Sequence, residues 1–225
     1  MTWAGSYRAT PAVQDYTSAS TFAVNKATGT VAGDLILLWC VGLNATQVYS
    51  CTGFTAASTS GGISGYGQLL YRTADGTESS TFTVAVNNSA PAEIIQATLA
   101  GPCSIDVVGA MNSANPATNP SATGLTVAGS NELLLWFGSA VNSSYTNGVA
   151  VATAMPSGFT SRVAGTAGTA SRPDTLLCDN ASIASGATGT VAATNATSNV
   201  WNTQMVAIKP AVVSTQGLLL MLMMS

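Results

Sequence analysis

Leu35-Ile36-Leu37-Leu38-Trp39-Cys40-Val41 is a run of seven apolar side chains, preceded by Val31-Ala32-Gly33-Asp34 and followed by Gly42. An amphipathic helix would break such a run with polar residues, and a membrane span needs roughly 18–20 apolar residues. A strand buried on both faces satisfies it. Elsewhere the pattern is period two. Thr81-Phe82-Thr83-Val84-Ala85-Val86 alternates throughout, and Asn202-Thr203-Gln204-Met205-Val206-Ala207-Ile208 does so for most of its length. Gly, Asn, Ser and Pro separate these runs, and no long stretch places apolar residues at i, i+3 and i+4. The pattern predicts an all-β sandwich or barrel.

The chain repeats itself. Val31-Ala32-Gly33 followed by Leu37-Leu38-Trp39 is echoed by Val127-Ala128-Gly129 and Leu134-Leu135-Trp136. Gly53-Phe54-Thr55 returns as Gly158-Phe159-Thr160, Leu69-Leu70 as Leu176-Leu177, Thr83-Val84-Ala85 as Thr190-Val191-Ala192, and Gln96 as Gln204. Matches kept in one order imply a duplicated set of about five strands. Either each copy closes as its own small sandwich, or the two interleave as one jelly roll. Burial favours a single domain, because a module of roughly 100 residues hides a smaller fraction of its surface than one of 200. The pseudo-repeats fall at about residues 19–103 and 120–210. Met111–Pro120 reads as a loop or linker. Residues 1–18 read as an N-terminal arm or edge strand, and 211–225 as an apolar tail.

Composition excludes several functions. Among 225 residues there are 6 basic and 9 acidic side chains and no histidine. No Ser-His-Asp or Cys-His set can form, and no imidazole can bind a metal. A net charge of −3, with Arg8, Lys26, Arg72, Arg162, Arg172 and Lys209 scattered, argues against nucleic acid as a partner. All six cations read as solvated surface or a polar interface rim. With no basic region followed by an apolar one at the N-terminus, no secretory signal is visible, so synthesis and folding in a cytoplasm are expected. Cys40, Cys51, Cys103 and Cys178 lack metal or redox spacing and read as free thiols, Cys40 and Cys51 alone being near enough in sequence for a local disulfide.

Chemistry-bearing candidates are few. Nine carboxylates are present, and no local pattern nominates a glycosidase pair. Asp75-Gly76 reads as the turn of a hairpin between strands at 68–72 and 80–86. Asp34 and Glu132 open matching strands, where a charge keeps the strand start solvated. Trp39 and Trp136 read as core, and Phe54 and Phe159 as plugs at the ends of the sandwich. Tyr49, Tyr66 and Tyr145, in loop-like surroundings, are the candidates for an exposed glycan contact. The run Leu218, Leu219, Leu220, Met221, Leu222, Met223, Met224 is the candidate partner interface. The competing reading of that run is a last core strand.

These residues carry a family likeness. Asn25-Lys26-Ala27-Thr28-Gly29-Thr30-Val31-Ala32-Gly33-Asp34-Leu35-Ile36-Leu37 resembles the opening of jelly-roll-like sandwich proteins encoded by tailed phages and prophages. Ser104-Ile105-Asp106-Val107-Val108-Gly109, Thr126-Val127-Ala128-Gly129-Ser130-Asn131-Glu132-Leu133-Leu134-Leu135 and the Pro156–Thr160 turn are similar to theirs. The resemblance spans about residues 19–210 and rests on turns and core strands. It implies an antiparallel, jelly-roll-like β-sandwich in a virion: a capsid decoration protein, head fibre or tail-tip component, made in the host cytoplasm. The expected partners are the major capsid protein, other virion proteins or further copies of this chain, with no cofactor, catalytic residue, nucleic acid or membrane. The alternative expectation is a tail-associated or adhesin-type module that binds host carbohydrate. The apolar tail lies outside the resemblance.

Overall fold

The computed structural model describes residues 6–43, 46–57, 67–142, 144, 146, 148–165 and 172–210. All regular structure in them is β. The first half supplies β1 (Ala12–Asn25), β2 (Leu35–Gly42), β3 (Tyr49–Cys51), β4 (Thr55–Ala56), β5 (Gly67–Thr73) and β6 (Thr81–Leu99). The second supplies β7 (Cys103–Val108), β8 (Asn112–Ala117), β9 (Ser121–Ala122), β10 (Thr126–Val127), β11 (Glu132–Val141) and β12 (Thr160–Ala164). It continues with β13 (Asp174–Ile183), β14 (Gly186–Ala187), β15 (Val191–Ala192) and β16 (Asn199–Pro210).

Two antiparallel sheets pack into a β-sandwich. One has the order β1-β6-β2-β5-β4, with β3 also on β6. The other, read from its β7 edge, runs β7-β16-β11-β13-β12, with β8 also on β16. β6-β2-β5-β4 corresponds in order to β16-β11-β13-β12, and the start of β1 lies on β6 as β8 lies on β16, which is the duplication seen in three dimensions. Among the described residues the two halves do not interleave: residues 12–99 supply one sheet and 103–210 the other. Small ladders pair β9 with β15 and β10 with β14.

Three apolar layers result. Leu35, Leu37, Trp39 and Val41 from β2 meet Leu133, Leu135 and Phe137 from β11 in a core shared by the sheets. The intervening residues Ile36, Leu38 and Cys40 point the other way, into a second core with Phe22, Val24, Tyr49, Phe82 and Val84. Leu134 and Trp136 point likewise into a third, with Leu176, Cys178, Trp201 and Met205. Register shifts in β1 between Tyr16 and Thr21 bend its ladder with β6, so its far half packs over the outer face of β2. Each copy therefore closes its own core and also shares one. Both faces of β2 and β11 are covered, and every residue of both strands is buried.

The junction read as a loop contains β8, an edge strand on β16. Its polar sequence suits an edge, where Pro116 is tolerated. The N-terminal segment is held as well: Tyr7 bridges Leu99 before β1 begins at Ala12. Asp75-Gly76 is a turn but not of a hairpin, because β5 pairs β2 and β4 whereas β6 pairs β1, β2 and β3. Gly76 does take the positive φ, 87°, and the Glu78 carboxylate accepts the N–H groups of Asp75 and Gly76. The Gly-Phe turns match closely. Gly53 and Gly158 have φ of 79° and 80°, and Phe54 N and Phe159 N donate to Cys51 O and Pro156 O, each at 3.0 Å.

Candidate functional site

Of the tyrosines expected at the surface, Tyr49 lies inside. Its place in β3, paired with Val86 of β6, turns the ring into the first copy's core, where it is 1% exposed. Its backbone N–H donates to Gln68 Oε1 at 2.7 Å, and burial pushes its phenol well above the ordinary value. It offers no ring to a glycan. Tyr66, Tyr145 and the run Leu218–Met224 lie outside the described residues. The four cysteines are free, three of them buried.

Each of the six cations has a partner, while Arg8, Arg162 and Lys209 stay exposed as a solvated surface requires. Arg8 grips Asp34 through Nε at 2.6 Å and Nη2 at 2.8 Å. Arg72 reaches Asp75 and Glu78, Arg162 reaches Asp179, Arg172 reaches Asp15, and Lys209 reaches Asp106. Lys26 Nζ donates to Glu78 O. Asp179 of the second copy also accepts from Tyr7 Oη at 2.9 Å, and the Arg162 guanidinium stands over the Tyr7 ring. These ties fasten the N-terminal segment across both halves.

Asp34 and Glu132 do not solvate strand starts; both are buried. They fasten the turn before each strand. Asp34 Oδ2 accepts the Val31 N–H, and Glu132 Oε1 accepts the Gly129 N–H, both at 2.9 Å and both three residues back. Asp34 takes a further N–H from Gly101. Burial pushes Asp34 up, but the Arg8 hydrogen bond, followed by the Gly101 and Val31 N–H groups, outweighs it and holds the carboxyl below its ordinary value. Glu132 has no such cation in contact, and burial leaves it raised.

A second carboxyl group of residues is unexpected. Asp15 of β1 stands directly across the ladder from Glu93 of β6. Glu93 is fully buried, and its Oε1 accepts from Thr175 Oγ1 of the second copy. Asp174, beside Thr175, is 3% exposed. A Cβ on Gly165 would collide with both Glu93 Oε1 and Asp174 Oδ1, so the two carboxyls crowd one spot at the seam between the sheets. Among the described residues the only cation there is Arg172, 3.0 Å from Asp15 Oδ2. Sequence reading had no reason to join residues of β1, β6 and β13. The one available signal was a lone carboxylate set against Ile94-Ile95.

A glycosidase needs its two carboxyls across a cleft that admits a sugar. Glu93 and Asp174 are buried, and the cavity that Asp174 lines together with Val151, Met155, Ser161, Ala164 and Leu176 holds about 130 Å³. Small-molecule pockets usually span ~300–1,000 Å³. Among the described residues no group of three or more Cys, Asp or Glu is arranged to hold a metal ion. No protein-family model matches the chain, and no curated protein or solved structure matches it either.

Proposed function

We propose that this chain is a non-enzymatic structural protein of a tailed-phage virion, a capsid decoration protein that binds the shell and stabilises or decorates it. One observation carries the reading furthest: the described body has already closed its apolar surface. Its three cores are filled from within, β16 is flanked on both sides, and among the described residues only Val31 and Val48 are large hydrophobics with substantial exposure, 47% and 46%. The cations are committed internally too, so the body offers a partner neither an apolar patch nor a basic one. Attachment then falls to Leu218–Met224. Burying a Leu or Met side chain contributes roughly 1.5–3 kcal/mol, so the run could supply on the order of 10 kcal/mol to an interface before ordering costs. A β body of low charge, with its edge strands available to neighbours, suits a shell component.

The test is to label purified source particles with an antibody to this chain and view them by electron microscopy, in parallel with a Leu220→Asp variant. Label over the head, lost in the variant, is the expected result. Label confined to the tail tip would transfer the protein to host recognition, and absence of label would overturn the virion reading. Normal incorporation of the variant would remove the run as the anchor.

A further inference from the structure

Among the described residues, the seam cluster leaves buried carboxyl oxygens without donors. Asp15, Glu93 and Asp174 bring three carboxyl groups together against one guanidinium, that of Arg172. Glu93 Oε2 and Asp174 Oδ1 are buried with no donor among the described residues. Buried carboxylate oxygens without donors are costly, and like charges directly opposite on a ladder repel. Both costs fall if one carboxyl is neutral, because its O–H becomes the missing donor. Glu93 is the group placed to do this: it is the most deeply buried, faces Asp15 across the ladder, and touches the second copy through Thr175.

We propose that Glu93 keeps its proton in the folded protein at neutral pH, and that this proton makes the joint between the two sheets pH-operated, tight when Glu93 is neutral and opposed when it ionises. The groups facing it are Asp15 from β1, Asp174 and Thr175 from β13, and Arg172 with Gly165 from the segments flanking 166–171. Residues 166–171, Thr-Ala-Gly-Thr-Ala-Ser, contain no acid or base, and the β2 residue opposite Glu93 is Val41. Burial, reinforced by Asp174 and Asp15 against the pull of the Thr175 hydrogen bond, pushes Glu93 up to about 8. Burial and Asp15 raise Asp174 to about 6 against Thr175 N–H and Arg172. Protons lost from such a cluster belong to the group as a whole.

The sign follows from linkage. Glu93 has a folded-state value above its ordinary 4.5, so its contribution is fully present below that pH and is lost as pH rises to about 8. One proton held by the folded state alone lowers the folding constant about tenfold per pH unit in that window. The test is denaturant unfolding of the full chain from pH 5 to pH 9, read between pH 7 and 8, above the value of about 6 to which Asp174 is raised. The wild type should lose stability at up to that slope and level off above 8, and Glu93→Gln should be flat there. Infrared titration of the wild type should show a neutral-carboxyl band that persists at pH 7 and disappears near 8; this reading stands even if the variant does not fold. Parallel profiles for wild type and variant, or no neutral carboxyl at pH 7, would overturn the proposal.

Discussion

Trp39 and Phe137 stack across the shared core, their ring centroids 5.5 Å apart and their planes inclined by 28°. One ring comes from each copy of the repeat, and both are fully buried. Trp39 pairs with Leu69 and Phe137 with Leu177, and all four side chains lie in the same layer. The contact therefore joins positions that correspond between the sheets. Truncating a buried Trp or Phe to Ala costs ~3–5 kcal/mol, and a stacked aromatic pair couples by ~0.5–1.5 kcal/mol beyond its area. Trp39→Ala and Phe137→Ala should each fall in the larger range by denaturant titration. The double variant should lose less than their sum, and strict additivity would show that the rings do not cooperate.

Stability on the acid side should depend on Asp34. Its carboxyl sits below the ordinary value of 3.8, so its contribution is present above that pH and lost as pH falls through the lower, folded-state value. Asp34→Asn should be less stable than the wild type at pH 7, and the gap should narrow as pH falls below 3.8. Unfolding curves at several pH values would measure it. A constant gap across the acid range would remove the Arg8 contact as its source.

Asn131 gives a test at a single backbone position. It has φ of 61°, and Gly33, just before Asp34 in the other copy, has φ of 89°. A side chain without local hydrogen-bonding capacity loses roughly 1–2 kcal/mol in that region, whereas Gly loses little. Asn131→Gly should match or slightly exceed the wild type in melting temperature, and Asn131→Ala should fall below it. Equal melting of the Ala and Gly variants would contradict the shared turn.

Amide exchange should follow the layering. β2 and β11 are covered on both faces, so their amides should be the slowest to exchange, and those of β4 and β12, at the edges, among the fastest. Exchange as fast in β2 as in β4 would contradict a shared core as the stable centre.

The sequence made the layering legible but not its register. Seven apolar residues from Leu35 to Val41 foretold a strand with two covered faces, and the ordered matches foretold the repeat. Aligning like letters set Trp39 against Trp136, yet these rings enter different cores. The sheets correspond one residue further on, Trp39 with Phe137 and Asp34 with Glu132, because a one-residue slip exchanges the faces of a strand. Val31 and Val127, another matched pair, are 47% and 2% exposed. What duplication preserved is the alternation of faces and the turn before each strand, not the identity of the side chains. The seam and the ion pairs were illegible for a different reason. Arg8 meets Asp34 and Arg172 meets Asp15 only after the strands are ordered, and nothing local to either residue points to the other.

The direct passage from β6 to β7, only Ala100-Gly101-Pro102 long, has a consequence of its own. Two equivalent sheets meeting face to face would, as separate chains, form a homodimer whose assembly depended on concentration. Bimolecular association costs an estimated ~4–15 kcal/mol in lost translational and rotational freedom. Three residues of connection replace that cost with the closure of a short tether, so dilution cannot part the sheets.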